Sequence, residues 1–121
     1  MYNPLLSQNK NLNMTNILNI VYNAFIESVK KRIENTERPI GCLLSGGLDS
    51  SLITALVCKL SKSTIETFSI GLEGSEDLKY AKIVANHLKT KHHEVIVTEE
   101  DFFNAIPEVI KAIGSYDTTT V

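Results

Sequence analysis

The sequence predicts an α/β protein in which a parallel sheet carries helices on both faces, giving three layers. Short apolar runs at residues 40–44, 65–70 and 94–97 are each followed by a segment with helical periodicity. Strands that alternate with helices favour parallel pairing through right-handed crossovers. Because a sheet of three strands has two unpaired edges, we expect the fold to be incomplete and more chain to belong to it.

The first predicted helix runs from Thr15 to about Glu34. It follows a polar segment, residues 1–14, which we interpret as a disordered tail or the remnant of a linker. Pro39 ends the helical pattern, and the apolar run Ile40–Leu44 predicts a buried first strand. One face of the helix carries apolar residues at four-residue steps: Ile17, Val21, Phe25, Val29 and Ile33.

The middle of the chain predicts two further strands separated by helices. Leu52–Leu60 is apolar enough for a helix that packs on a sheet, and Ile65–Ile70 has the alternation and the β-forming residues of a strand. Gly71–Ser75 predicts a turn, and Glu94–Val97 predicts the third strand. The helix between the last two strands shows one apolar stripe: Leu78, Ala81, Val84, Ala85 and Leu88.

The last predicted helix begins after Thr98. Thr98 is a natural N-cap, and Asp101 three residues later forms a partial capping box. Pro107 either begins a new helix or kinks this one, and Gly114 ends the helical pattern as a C-cap. Two aromatic residues of this helix are expected in the core: Phe102 and Phe103.

Composition and charge exclude several classes of protein. The 121 residues are 43% hydrophobic and 21% charged with a formal net charge of −2, which indicates one modest soluble domain and no nucleic-acid-binding surface. No apolar run approaches the roughly 18–20 residues that span a bilayer. The N-terminal residues lack the order of a signal peptide, so we expect a cytoplasmic protein that contacts no membrane.

The cysteines and histidines predict neither a redox pair nor a metal site. Cys42 and Cys58 lie in apolar segments, which favours free, buried thiols over a disulfide. His92 and His93 would point to opposite faces of a strand and have no Cys nearby. We therefore expect neither of them, nor His87, to bind a metal ion.

The chemistry is predicted at Leu44–Ser51, which reads LSGGLDSS at a strand-to-helix turn. Ligands of open α/β sheets bind outside the carboxyl ends of the strands. Gly46 and Gly47 allow left-handed backbone angles and close approach of a ligand. Consecutive N–H groups at a helix N-terminus attract anions, so the segment predicts a polyphosphate site. Three hydroxyls add further donors: Ser45, Ser50 and Ser51.

The segment matches none of three common motifs. It lacks the Lys of the P-loop, the spacing of the dinucleotide fingerprint and the pattern of the nucleophile elbow. With no Lys in the loop, Asp49 makes chemical sense as a ligand of Mg²⁺ beside the phosphates. A simple helix cap is the alternative interpretation, but a cap requires one such residue and not the whole cluster. No His lies within the motif, so no nucleophilic serine is predicted.

Three blocks of the sequence resemble the synthetase domain of the glutamine-hydrolysing, B-type asparagine synthetases. The first block is similar to the pyrophosphate loop of the N-type ATP pyrophosphatases, whose fold is Rossmann-like and adenine nucleotide α-hydrolase-like. The blocks agree in order and spacing, and the resemblance runs from about Val21 to Val121. They read RPIGCLLSGGLDSSLITAL, TFSIGLEGSEDLKYAKIVANHLKTKHHEV and SYDTTTV.

This resemblance implies that ATP and Mg²⁺ are the cofactors. ATP would lie across the ends of the first two strands, where Leu43 and Ile70 present backbone groups to the adenine while their side chains belong to the core. The loop would hold the β and γ phosphates, and Asp49 would ligate Mg²⁺. The loop residues implied in nucleotide binding are Ser45, Gly46, Gly47, Leu48, Asp49, Ser50 and Ser51.

The resemblance also implies a reaction. The side-chain carboxylate of aspartate would attack the α-phosphorus of ATP, giving β-aspartyl-AMP and pyrophosphate, and ammonia would then displace AMP to form asparagine. No catalytic side chain is assigned. Asp117 and Thr119, in the third block, would border the substrate, although Asp117 could equally cap a loop. Two other interpretations stay open: another carboxylate-adenylating enzyme such as a β-lactam synthetase, and a noncatalytic ATP-binding fragment.

We assign residues 15–121 to the N-terminal portion of this synthetase domain. The family's glutaminase domain has a catalytic Cys as its second residue, whereas residue 2 here is Tyr2. We therefore expect no glutamine hydrolysis by this chain and an external supply of ammonia. The family's later acidic loop and a later Lys have no counterpart in the 121 residues, so we expect a partial nucleotide site.

Overall fold

The computed structural model describes residues 13–114. Within them, helices and strands alternate after an initial helix, as the sequence predicts. The described elements are α1 (Met14–Glu34), β1 (Gly41–Leu43), α2 (Leu48–Leu60), β2 (Glu66–Leu72), α3 (Glu76–Leu88), β3 (Lys91–Val97) and α4 (Glu99–Ile113).

The three strands form one parallel sheet in the order β1-β2-β3, which confirms the predicted pairing. β2 and β3 are longer than predicted because seven residue pairs join them, from Glu66 with Lys91 to Leu72 with Val97. Gly71 therefore lies inside β2, paired with Ile96, and the predicted turn at this residue is wrong.

Two helices also differ from their predicted bounds. α2 begins at Leu48, four residues early, so the second half of the LSGGLDSS motif forms its first turn. α4 continues through Pro107, which neither begins a new helix nor ends this one. The predicted cap of α4 is confirmed and complete, since Thr98 and Asp101 exchange hydrogen bonds in both directions. Gly114 ends α4 with a left-handed φ of 67°.

The core lies between the sheet and the helices α1, α2 and α3. α1 packs against α2 through the second half of its predicted stripe, around the buried Val29. Cys42 is buried and Cys58 is half-buried, and both are free thiols, as predicted. Burial raises the pKa of the Cys42 thiol, although a hydrogen bond with Thr54 partly offsets this effect. Two clusters make up the core: Val29, Cys42, Leu56, Val57 and Ile65, and then Leu44, Ala81 and Ala85.

The opposite face of the sheet is apolar and largely uncovered among the described residues. In β2 the polar Thr67 and Ser69 face α2 and α3 and are 0% and 7% exposed, whereas Ile70 on the other face is 66% exposed. The third layer is α4, which approaches this second face where Phe102 lines cavities with Ile70 and Val97. Phe102 and Phe103 are nevertheless exposed, so their predicted place in the core is wrong for this part of the chain.

None of the helices within residues 13–114 combines the length and the apolar character that a bilayer crossing requires.

Candidate functional site

The LSGGLDSS motif connects the carboxyl end of β1 to the amino end of α2. The sheet ladder ends at Leu44, whose N–H donates to the carbonyl of Phe68 at 2.8 Å. Residues 45–47 cross the top of the sheet, and α2 begins at Leu48. The motif therefore lies at the edge of the sheet where open α/β proteins bind their ligands.

The two glycines of the loop have different roles. Gly46 has a left-handed φ of 80°, and a Cβ there would lie 2.4 Å from the backbone nitrogen of Ala81. The loop is therefore pressed directly against α3. Gly47 has an ordinary φ of −70°, and a Cβ there would meet only the Ser45 hydroxyl, at 3.5 Å. Gly46 is required by packing, while the space beside Gly47 is open.

The serines of the motif separate into two groups. The hydroxyls of Ser45 and Ser50 are 3.0 Å apart, the Gly47 N–H donates to Ser45 Oγ at 3.4 Å, and Ser50 Oγ donates to the Gly47 carbonyl at 3.3 Å. Ser51 instead lines a groove between α2 and α3 together with Leu48. Its buried Oγ has no hydrogen-bond partner among the described residues. The structure thus groups the hydroxyls of Ser45 and Ser50 and directs the side chains of Leu48 and Ser51 to the groove between α2 and α3.

The amino end of α2 carries free hydrogen-bond donors. Its N-cap, Gly47, offers no side-chain cap, and the first turn of a helix has no intrahelical partners for its N–H groups. The N–H of Ser51 donates to the Gly47 carbonyl at 3.1 Å, so the free donors are those of residues 48–50. Asp49 lies in this first turn with its carboxylate exposed. An uncapped helix end of this kind can bind an anion.

A cleft of about 330 Å³ lies beside Ser45 on the uncovered face of the sheet. The side chains of Leu43 and Ile70 form apolar walls and are 84% and 66% exposed, so their predicted burial in the core is wrong for the described residues. Asp77 also lines the cleft and was not predicted. The sequence did contain a signal for it. Ser75, shortly after β2, is a typical N-cap for α3, and it places Asp77 in the first turn of that helix. The other lining residues are Leu44, Phe68, Ser69 and Val95.

The adjacent histidines lie on opposite faces of β3, as the strand period predicts. His92 contacts Thr67 and Ser69 on the covered face. His93 stacks on Phe68 with ring centroids 4.9 Å apart and bonds to Glu66 at 3.0 Å. Within residues 13–114, no three side chains of the His, Cys, Asp and Glu types are placed to share a metal ion. The predicted substrate residues Asp117 and Thr119 lie outside the described residues.

The sequence of residues 21–121 matches the family described as asparagine synthase. The chain belongs to the asparagine synthase family. The chain is 48% identical over 102 residues to the glutamine-hydrolysing asparagine synthetase of Bos taurus. It is 46% identical over 111 residues to the human enzyme and 47% identical over 111 residues to asparagine synthetase 2 of Arabidopsis thaliana. The resemblance seen in the three sequence blocks is confirmed.

The chain spans about a fifth of the length of these relatives. The alignments include 80% of this chain and 18% of the bovine protein, 88% and 19% for the human protein, and 84% and 19% for the plant protein. Among solved structures, the NH3-dependent NAD synthetase of Campylobacter jejuni is similar, with a TM-score of 0.57, 16% identity and coverage of 83% of this chain and 42% of that chain. This likeness confirms the predicted fold class.

Proposed function

We propose that this chain supplies the pyrophosphate-binding part of an ATP-dependent asparagine synthetase. The observation that carries the proposal is the uncapped amino end of α2, which meets the loop hydroxyls at the carboxyl edge of the sheet in a chain of the asparagine synthase family. Asparagine synthetase is the activity of relatives that are about five times longer than this chain.

The β and γ phosphates of ATP fit the donors of this loop. The open space beside Gly47 admits a phosphate close to the backbone, and the free N–H groups of residues 48–50 point out of the helix end. The hydroxyls of Ser45 and Ser50, 3.0 Å apart, lie beside this helix end. Since the motif contains no Lys or Arg, these neutral donors and the helix end supply its attraction for phosphate.

Mg²⁺ fits Asp49 as one oxygen ligand among several. Mg²⁺ in nucleotide sites takes one or two carboxylates and completes its shell with phosphate oxygens and water. Asp49 is exposed in the first turn of α2, next to the free N–H groups. When bound, the ion would neutralise charge on the departing pyrophosphate.

The adenine fits the apolar cleft beside the loop. The strand register places the backbone N–H of Ile70 on the β1 side of β2, beyond the last rung of the ladder. Leu43 and Ile70 line the cleft with exposed apolar side chains that can cover the faces of a planar base. The high exposure of both side chains is what a ligand-binding wall requires.

The reaction proposed for the complete enzyme is an adenylation followed by amide formation. An oxygen of the aspartate side-chain carboxylate bonds to the α-phosphorus while the bond from that phosphorus to the bridging oxygen breaks, and pyrophosphate leaves. Ammonia then bonds to the activated carbonyl carbon and AMP leaves, giving asparagine. The chain's own part is to hold the leaving group in position and offset its charge. Asp117 and Thr119 remain predicted substrate contacts.

Titration of this chain with Mg·ATP tests the proposal. We expect Asp49→Asn to weaken binding by about ten- to a hundredfold because a charge-assisted contact to the metal is lost. Glu73→Gln is the matched control, since Glu73 is an exposed carboxylate that lines none of the described cavities. The difference between the two variants should vanish when Mg²⁺ is chelated.

The proposal fails if the chain binds no Mg·ATP or if the two variants behave alike. Catalysis is measured separately, as pyrophosphate release from ATP with aspartate and ammonia, in this chain and in one extended to the length of its relatives. Release that does not depend on aspartate in either chain would contradict the assignment to asparagine formation.

A further inference from the structure

A chain of buried polar side chains connects β3 to the start of the LSGGLDSS motif. Thr67 is 0% exposed and Ser69 is 7% exposed, and the side chain of His92 is 11% exposed. Thr67 Oγ1 lies 2.8 Å from Thr90 Oγ1 and 2.9 Å from His92 Nδ1. On the other side of the ring, His92 Nε2 lies 3.3 Å from Ser69 Oγ. The large majority of polar groups buried to this degree are hydrogen-bonded, as these are.

Ser69 is the last side chain of this hydrogen-bonded series, and it bonds to the Leu44 carbonyl. Continuation of the parallel ladder would require the Ile70 N–H to donate to that carbonyl. Among the described residues this bond is not made, and Ser69 Oγ donates to the Leu44 carbonyl at 2.8 Å instead. The Ser69 hydroxyl thus takes the place of the Ile70 N–H as donor to Leu44, at the point where β1 gives way to the loop.

The directions of these hydrogen bonds can be assigned from one end to the other. The Leu44 carbonyl can only accept, so the Ser69 hydroxyl proton is directed to it. Ser69 Oγ must then accept from His92 Nε2–H, which also faces Glu94 Oε1 at 3.7 Å, and Nδ1 of the neutral ring accepts from the hydroxyl of Thr67. Thr90 donates to Thr67. The network therefore requires the Nε2–H tautomer of His92, an assignment made from the partners and not from observed protons.

The bond from Ser69 fixes the orientation of the first peptide unit of the loop. The peptide between Leu44 and Ser45 is trans, as are all those described, so its N–H points away from its C=O. Because the carbonyl is directed to Ser69, the Ser45 N–H is directed to the other side. It donates to no acceptor among the described residues.

We propose that His92 is a positioning residue for the nucleotide loop, acting through Ser69 on the Leu44–Ser45 peptide. This inference rests on the proposed function of the loop. His92 does not contact the loop itself. Its ring holds Ser69 in the rotamer that directs the hydroxyl to the Leu44 carbonyl, and the Ser45 N–H is thereby preset as a donor. Preorganised donors lower the cost of binding because no rotation is needed when the anion arrives.

The tautomer provides a test that needs no variant. In the wild-type chain labelled with ¹⁵N-histidine, the neutral ring of His92 should show Nε2 protonated and Nδ1 bare. The Nδ1–H tautomer would reverse the assigned directions and overturn the proposal.

A matched pair of substitutions tests the coupling to the loop. His92→Gln can bring an amide N–H to the place of Nε2–H, whereas the shorter side chain of His92→Asn cannot reach Ser69. We expect H92N to raise the Kd for Mg·ATP about three- to tenfold, the effect of one lost hydrogen bond, and H92Q to restore most of it. Ser69→Ala should match H92N, and the double variant should add little to either, because both act through one contact. Equal losses in H92N and H92Q, or additive losses, would contradict the proposal.

Amide hydrogen exchange separates this proposal from the proposed function. In H92N, the Leu44 amide, which donates to the Phe68 carbonyl beside the contact from Ser69, should exchange faster while those in the middle of β2 and β3 are protected as in wild type. Uniformly faster exchange would indicate loss of general stability and would overturn the positioning role. If the wild type binds no Mg·ATP, the proposed function fails, and the tautomer and the exchange pattern still decide whether His92 orients the loop.

Discussion

Gly46 and Gly47 are neighbours, yet only one of them is required by the fold. Gly46 combines a left-handed φ of 80° with a position where a Cβ would lie 2.6 Å from the carbonyl carbon of Tyr80. No rotation of a side chain relieves contact with a backbone. Gly47 has neither constraint. The sequence alone treats the two as equivalent, because backbone angle and distance to α3 depend on the folded chain.

Among substitutions in the loop, Gly46→Ala is therefore expected to destabilise the folded chain most. We expect a loss of more than about 2 kcal/mol in the free energy of unfolding, since left-handed strain and a backbone clash add. Urea unfolding followed by circular dichroism measures it.

Gly47→Ala is the matched change with the opposite expectation. Its free energy of unfolding should stay within about 0.5 kcal/mol of wild type, because the new methyl group meets only the Ser45 hydroxyl, at an ordinary contact distance of 3.5 Å. Its affinity for Mg·ATP should fall, because the methyl group occupies the space proposed for a phosphate. Unaltered affinity in a folded Gly47→Ala variant would remove the phosphate from this side of the loop.

At the scale of the elements, periodicity predicts which segments are strands but not where they end. Residues 91–93 of β3 are polar and carry no alternation, and only their pairing with residues 66–68 makes them strand. The same limit explains Gly71, since a glycine that predicts a turn is held in β2 by its partner Ile96. Long-range pairing decides the bounds, and a local pattern does not contain it.

The inward face of β2 could not be predicted from polarity either. Alternation in residues 65–70 favours burial of apolar residues, yet the polar Thr67 and Ser69 are buried on the same face as Ile65, while Phe68 and Ile70 are exposed. Their hydroxyls find partners in Thr90, His92 and the Leu44 carbonyl, so burial leaves neither unsatisfied. These partners lie more than 20 positions away in the sequence, so a local sequence pattern cannot predict them.

The capping box of α4 should contribute measurably to stability, because α4 has no buried residue to hold it in place. Thr98→Ala removes a hydroxyl that accepts from the Asp101 N–H at 3.1 Å. We expect a loss of about 1 kcal/mol in the local stability of α4. Amide exchange within α4 measures it, and Thr98→Ser, which keeps the hydroxyl, should behave as wild type.

The same cap makes α4 sensitive to acid. The side-chain hydrogen bond from Thr98 is the main reason why the pKa of Asp101 lies below its ordinary value. A lowered pKa means that the stabilisation is present above the ordinary aspartate range and is lost as pH falls through the lowered pKa. Protection of α4 against amide exchange should therefore decrease over that acidic range in wild type. The decrease should be smaller in Thr98→Ala, and equal decreases in both would exclude this cap as the cause.

At the scale of the whole molecule, the apolar side chains are distributed unequally over the sheet. One face is covered by α2 and α3. The other face carries a set of exposed apolar side chains, to which α4 adds exposed aromatic residues. Contiguous apolar surface of this kind favours association. The set comprises Leu43, Phe68, Ile70, Leu72 and Val95, with Phe102 and Phe103 from α4.

We therefore expect this chain to associate at high concentration through the uncovered sheet face. Leu72→Lys places a charge on that face outside the nucleotide cleft, and it should shift the sedimentation profile towards monomer. Ile83→Lys is the control, since Ile83 is an equally apolar, 62% exposed residue in the groove between α2 and α3. If Ile83→Lys shifts the profile towards monomer and Leu72→Lys does not, the chain associates through the groove between α2 and α3. The uncovered face of the sheet would then not drive association, despite its larger set of exposed apolar side chains.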